Sequence, residues 1–221
     1  MRNRFELQLE ELSQKLIKMG SLCEKAIANA AEALNNGDLE LAKTVIREDE
    51  EINYIDREIE SLCLKLLLQQ QPVAKDLRQI SAALKMITDM ERIGDQASDI
   101  ADIIISAGMS EVGNFTDITK MANATKQMVH DSIQAYVTKD LSLAKRVMVV
   151  DDEVDHLFDN VKSRLVRVIA RDLGSQGERA IDILMIAKYL ERIGDHATNI
   201  AEWVEFSITG VHKAHVNIES K

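Results

Sequence analysis

Glu91, Asp95 and Asp99 stand four residues apart, and Glu191, Asp195 and Asn199 repeat that spacing 100 residues later. On an α-helix, positions i, i+4 and i+8 drift by only about 40° per step, so each set forms one column of oxygen ligands. Shorter columns precede them: Asp49 with Asn53, and Asp151 with Asp155. Carboxylates stacked in this way repel one another. Two such columns on facing helices repel more, unless a cation sits between them. Oxygen ligands of this kind select hard cations such as magnesium, manganese, calcium or iron. The plain alternative is solvated helix surface, or carboxylates paired with Arg and Lys, and a single E-x-x-x-D is no more than that.

Duplication changes the weight of the pattern. Glu91-Arg92-Ile93-Gly94-Asp95-Gln96-Ala97 returns as Glu191-Arg192-Ile193-Gly194-Asp195-His196-Ala197. Both copies keep a glycine that costs about 1 kcal/mol relative to alanine inside a helix. Something must therefore approach the backbone there: either a tightly packed helix or an ion with its waters. Arg92 and Arg192 are suited to pair with carboxylates on a neighbouring helix, or to contact an anion. The histidines give less. Glu153-Val154-Asp155-His156 has the E-x-x-H spacing of di-iron carboxylate bundles, but its counterpart Glu51-Ile52-Asn53-Tyr54 lacks the histidine. His196 lies about 100° round the helix from Asp195 and reads as a surface or core residue. His212 and His215 form a lone H-x-x-H in the tail, poor evidence for a ligand, and His130 is unremarkable. Nothing pairs a nucleophile with a base, cradles a phosphate or binds a dinucleotide.

The elements that must position these residues are helices. One proline and nine glycines in 221 residues leave little punctuation, and the eight aromatic residues suit a core of Leu, Ile and Ala. Leu9, Leu12, Leu16, Met19 and Cys23 form a helical stripe that Ala26, Ile27, Ala30 and Leu34 continue. Asn35-Asn36-Gly37-Asp38 reads as a stop followed by an N-cap. A second helix spans about Leu39 to Gln70. Pro72 fits the first position of a third, running to about Ala107. Each helix has roughly 30 residues, or about 45 Å. Gly108 to Asn114 is the loop between halves.

The second half retraces the first. Gly37-Asp38-Leu39 matches Lys139-Asp140-Leu141, and Asp49-Glu50-Glu51-Ile52 matches Asp151-Asp152-Glu153-Val154. These pairs lie 102 residues apart, against 100 in the third helix, so two residues are lost where Asp172 to Gly177 replaces the Gln71-Pro72 corner. The expected fold is all-α, two tandem three-helix bundles: residues 5–108, residues 114–210, and a flexible tail over 211–221.

A net charge of −10 argues against nucleic acid as a partner. Cys23 and Cys63 form no disulfide framework, which suits a reducing compartment. No apolar leader or membrane-length run is present, so a soluble cytoplasmic protein is expected.

The two E-R-I-G-D strings, together with Gln71-Pro72-Val73-Ala74-Lys75-Asp76-Leu77-Arg78, resemble the PhoU family of phosphate-uptake regulators from about Phe5 to Gly210. That resemblance implies a non-catalytic cytoplasmic protein, often a homodimer. It implies repression of phosphate uptake when phosphate is plentiful. The implied partners are the ATP-binding subunit of the phosphate ABC transporter and the phosphate-sensing histidine kinase, so membrane contact would be indirect. Some members hold multinuclear metal clusters at paired acidic motifs. Carried onto this chain, the ligands are Asp49, Glu91, Asp95 and Asp99 in the first unit, and Asp151, Asp155, Glu191 and Asp195 in the second. Asn53 and Asn199 depart from a full acidic set. The metal stays open among iron, zinc, manganese, magnesium and calcium. The rival readings are a carboxylate-bridged metalloprotein, either oxidase or metal store, and an adaptor that needs no metal.

Overall fold

Apolar stripes at helical spacing become six long helices in the computed structural model, which describes residues 2–70, 72–110, 115–171 and 176–211. They are α1 (Arg2–Asn36), α2 (Leu39–Gln70), α3 (Ala74–Ser106), α4 (Thr116–Thr138), α5 (Leu141–Arg171) and α6 (Gly177–Thr209). The described residues contain no strand.

The α1–α2 and α4–α5 turns are built alike. Gly37 takes the left-handed conformation, φ 65°, that releases α1. The Leu41 N–H then donates to Asp38 Oδ1 at 2.9 Å, so Asp38 caps α2. In the second half Lys139 holds the same conformation, φ 57°, and the Leu143 N–H donates to Asp140 Oδ1 at 3.0 Å. The third helix starts later than the sequence suggested. Val73 is its N-cap in extended backbone, φ −96° and ψ 151°, and Ala74 is the first helical residue. Pro72 thus stands one position before the cap. Gln71, residues 111–114 of the inter-half loop, residues 172–175 of the second corner and residues 212–221 of the expected tail lie outside the described residues.

Within each half the three helices pack on one another; α1 and α3 then pack on α4 and α6, leaving α2 and α5 on opposite outer sides. Lys15–Glu58 at 2.8 Å, Lys18–Glu51 at 3.0 Å and Lys25–Glu48 at 2.7 Å show α1 and α2 running antiparallel. Across the halves, His130 meets Glu24 at 3.2 Å and Asn35 donates to Thr119 at 2.9 Å, so α1 and α4 are antiparallel too. The core is continuous. Leu12, Leu16, Met19, Cys23, Ile27 and Leu34 of α1 are fully buried, beside Met86, Met90 and Ile93 of α3 and Ile186, Ile193 and Ile200 of α6. Each fully buried Leu, Ile or Met contributes roughly 1.5–3 kcal/mol, which holds the outer columns in fixed register. Among the described residues no helix is long and apolar enough to cross a membrane.

Candidate functional site

α2 and α3 pack closely at Gly94. A Cβ there would stand 2.7 Å from Asp49 Oδ1 and 2.9 Å from Ile52 Cδ1. The glycine therefore makes room for a carboxylate of the neighbouring helix. Close packing and an acid-bearing site are one feature here, not two alternatives. Asp49 Oδ2 accepts a hydrogen bond from Asn53 Nδ2 at 2.9 Å, while Oδ1 is shut off from solvent without a hydrogen-bond partner. A buried oxygen with no donor is costly, roughly 1–3 kcal/mol. Burial raises the Asp49 pKa above the ordinary carboxylate range, and Asp95 adds to the shift.

Asp49, Glu91, Asp95 and Asp99 line one groove, Asp49 and Glu91 half-buried, Asp95 and Asp99 exposed. Glu91 is also raised, by burial first and then by Asp95, Asp56 and Asp49. Asp56 was missed in the sequence although it lies seven residues beyond Asp49 on the same helix face. Asn53 sends its amide nitrogen to Asp49, so it orients that acid.

α5 and α6 repeat the arrangement with changed details. A Cβ at Gly194 would stand 3.0 Å from Asp151 Oδ1 and 3.5 Å from Val154 Cγ1, a looser fit. Burial, then Asp195 and Asp155, push Asp151 up to about 6. Asp155 occupies the place of Asn53, so Asp151 loses an amide donor and gains a repelling charge. Asp155 is itself raised by its partial burial and by Glu191, against the pull of Lys188. That lysine, also missed in the sequence, sits 2.6 and 2.5 Å from the two carboxylate oxygens of Glu191.

The far ends of the two columns are tied across the halves. α3 and α6 run antiparallel, so position 89 meets the 196–199 turn, and position 189 meets Asp99. Asp89 Oδ1 lies 2.8 Å from His196 Nδ1 and accepts from Asn199 Nδ2 at 3.2 Å. Tyr189 donates to Asp99, opposing the rise that burial imposes on that acid. His196 is thus a buried core residue, and the Asn199 nitrogen is committed to Asp89. Glu153 and His156 are both exposed on α5. Arg92 and Arg192 are exposed as well; they favour the ionised forms of Glu91 and Asp99 respectively.

The side chains stand as columns rather than a closed shell: among the described residues, no three Asp, Glu, His or Cys are arranged to hold a metal ion. In element type the donors suit a hard cation, since every one is oxygen, but they are not gathered around a common point. A glycine makes room for a buried oxygen that has no hydrogen-bond partner, and burial together with neighbouring acids favours the protonated forms of Asp49 and Asp151.

The model of the PhoU domain matches residues 16–104 and again 118–204. A phosphate-specific transport system accessory protein PhoU homolog from Clostridium acetobutylicum is 40% identical over 211 residues, covering 95% of this chain and 96% of that protein. The crystal structure of PhoU from Pseudomonas aeruginosa superimposes with a TM-score of 0.87 at 33% identity, covering 94% of this chain and all of that one. That of the phosphate transport system regulatory protein PhoU from Streptococcus pneumoniae gives 0.85 at 26% identity, over 94% and 98% of the two chains.

Proposed function

The chain belongs to the PhoU family, and from that membership we propose that it restrains phosphate uptake and phosphate-responsive signalling when phosphate is plentiful. It acts by contact and not by catalysis. Its partners are the ATP-binding subunit of the phosphate transporter and the phosphate-sensing kinase, met at the cytoplasmic face of the membrane. The working form is a homodimer. The observation that carries this reading is the duplicated acidic groove, set by glycine on a helical frame whose core fixes its register. Such a frame presents a surface of defined charge without reorganising, and a net charge of −10 favours basic partner surfaces.

A hard cation would be held by Asp49, Glu91, Asp95 and Asp99 in one groove, and by Asp151, Asp155, Glu191 and Asp195 in the other. A cation held there would supply positive charge that relieves carboxylate repulsion. The protein's part is to hold Asp49 over Gly94 and Asp151 over Gly194, and to brace Asp49 through Asn53.

In a deletion strain grown in excess phosphate, transcription of phosphate-uptake genes is expected to rise and to fall again on complementation. Affinity capture at high phosphate is expected to recover the transporter's ATP-binding subunit. Unchanged transcription, with neither that subunit nor the kinase recovered, rejects the proposal.

A further inference from the structure

α4 begins at Thr116, which corresponds to position 14 of α1 at the repeat offset of 102, so among the described residues the first twelve residues of α1 have no equivalent in the second half. In the first half those turns run past the end of α2: Lys15 meets Glu58, Leu12 is fully buried, and Phe5 and Leu9 pack on the core. In the second half the matching stretch of α5 and α6 runs on beyond the start of α4. There Ile118, Val161, Leu165 and Ile183 line a hollow of about 50 Å³, with Arg164 and Asp117 beside them, 3.7 Å apart. The first half shows the same place closed. Buried Leu62 stands where exposed Arg164 stands in the second, and fully buried Leu66 and Ala83 stand where Val168 and Ile183 are half-buried.

The surface beside the hollow is basic, on a chain of net charge −10. Residues 160–171 carry Lys162, Arg164, Arg167 and Arg171 and no acid, whereas their counterparts 58–69 carry Glu58, Glu60 and Lys65. Lys162 turns aside to Asp159 at 2.5 Å. Arg164, Arg167 and Arg171 follow at three- and four-residue spacing, so they share one stripe of α5, and all three are exposed. Glu178 and Asp182 of α6 line a different hollow, with residues 106–110 at the end of α3.

We propose that this open end of the second half is a docking site for an acidic amphipathic helix of a partner protein, seated where α4 stops. Its apolar stripe covers Val161, Leu165 and Ile183, one large side chain enters the hollow, and its carboxylates pair with Arg164, Arg167 and Arg171. A concave seat between three helices takes a helix, whereas a membrane surface needs a broad convex or flat face. The turns of α1 that close the first half have the chemistry of such an occupant: Phe5, Leu9 and Leu12 face the core, and Glu6, Glu10 and Glu11 are exposed. The site lies nearer the C-terminal end of α5 than the acidic groove, and it does not depend on the phosphate reading.

The probe is a synthetic peptide of residues 5–14 (Phe5-Glu6-Leu7-Gln8-Leu9-Glu10-Glu11-Leu12-Ser13-Gln14), stapled to hold the helix, labelled with a fluorophore and titrated against the full-length protein by anisotropy. It is expected to bind, and its Glu6→Lys, Glu10→Lys, Glu11→Lys version to bind at least tenfold more weakly. Arg164→Leu, which copies the closed first half, is expected to weaken binding at least tenfold without lowering the melting temperature. Arg167→Glu is expected to weaken the acidic peptide by a similar factor and to strengthen the lysine peptide, a reversal that misfolding does not produce. No binding at millimolar peptide, or binding that neither variant changes, overturns the proposal. Phosphatidylglycerol vesicles retained by the parent but not by Arg167→Glu, with no competition from the peptide, overturn it in favour of a lipid surface. Self-association that both variants abolish and the peptide does not displace overturns it in favour of a second copy of this chain.

Discussion

His196 Nδ1 stands 2.8 Å from Asp89 Oδ1, joining two residues 107 positions apart at the buried contact between the halves. Asp89 also accepts from Asn199, so one carboxylate serves two side chains of the opposite repeat. The equivalent contact, Tyr189 to Asp99, lies one helix turn or more away and uses a phenol in place of the acid. The duplicated units are therefore locked together by two related but chemically different bonds.

Replacing Asp89 with Ala leaves a buried imidazole nitrogen and an amide without an acceptor. The expected loss is about 2–4 kcal/mol in urea unfolding. Asp89→Asn keeps one acceptor oxygen and should lose less than half of that. Equal stability of Asp89→Ala and the parent would show that the pair contributes nothing.

Glycine should matter more in the first groove. At Gly94 an added methyl meets Asp49 Oδ1 and Ile52 Cδ1 inside 3 Å, whereas at Gly194 the nearest atoms are at 3.0 and 3.5 Å. Alanine gains about 1 kcal/mol of helix propensity, while overpacking costs about 1–3 kcal/mol. Gly94→Ala is expected to destabilise by about 1–2 kcal/mol, and Gly194→Ala to fall within about 1 kcal/mol of the parent. Thermal melts of the two variants side by side check the order, and the reverse ranking contradicts it.

Asp151 sets a pH dependence. Its folded pKa, about 6, lies above the ordinary 3.8, so the folded chain binds that proton more tightly than the unfolded one. Its contribution is fully present below 3.8 and is lost as pH rises through about 6. Asp49, Glu91, Asp99 and Asp155 are shifted in the same direction. In metal-free protein, Asp151→Asn should therefore raise the melting temperature at pH 7 and leave it unchanged near pH 3.5. The gain at pH 7 is about 1 kcal/mol once solvent screening is allowed for. A variant that melts below the parent at pH 7 is the contrary result.

Both thiols should be silent in the native protein. Cys23 and Cys63 are buried without exposed surface. Burial, with a smaller push from Glu60, takes Cys63 up to about 12, and burial raises Cys23 as well. The thiolate is the reactive form, so alkylation by iodoacetamide at pH 8 should proceed only through unfolding. Mass spectrometry against urea concentration should show both cysteines modified together at the unfolding midpoint. Modification of either in the absence of denaturant defeats the expectation.

Much of this protein is local, and what is local was readable in the chain. The apolar period of 3.6 and the Gly37-Asp38 and Lys139-Asp140 turns specify the helices, because each depends on residues within a turn or two of one another, and the 100-residue repeat carries the same reading into the second half. The columns Glu91–Asp95–Asp99 and Glu191–Asp195–Asn199 follow from the same period. Tertiary structure decided which column faces which helix, and therefore what each polar residue does. Asn53 looks like a ligand in sequence but braces Asp49, Asn199 is turned to Asp89, and His196 is buried at the contact between the halves. Lys188 and Glu191 are three residues apart, yet only the withdrawal of Glu191 from water and the Phe158 ring behind the lysine distinguish that pair from ordinary helix surface. The physical reason is the same throughout. Helix periodicity is set by hydrogen bonds four residues apart, whereas partners 100 residues away are chosen by how side chains interlock when whole helices pack.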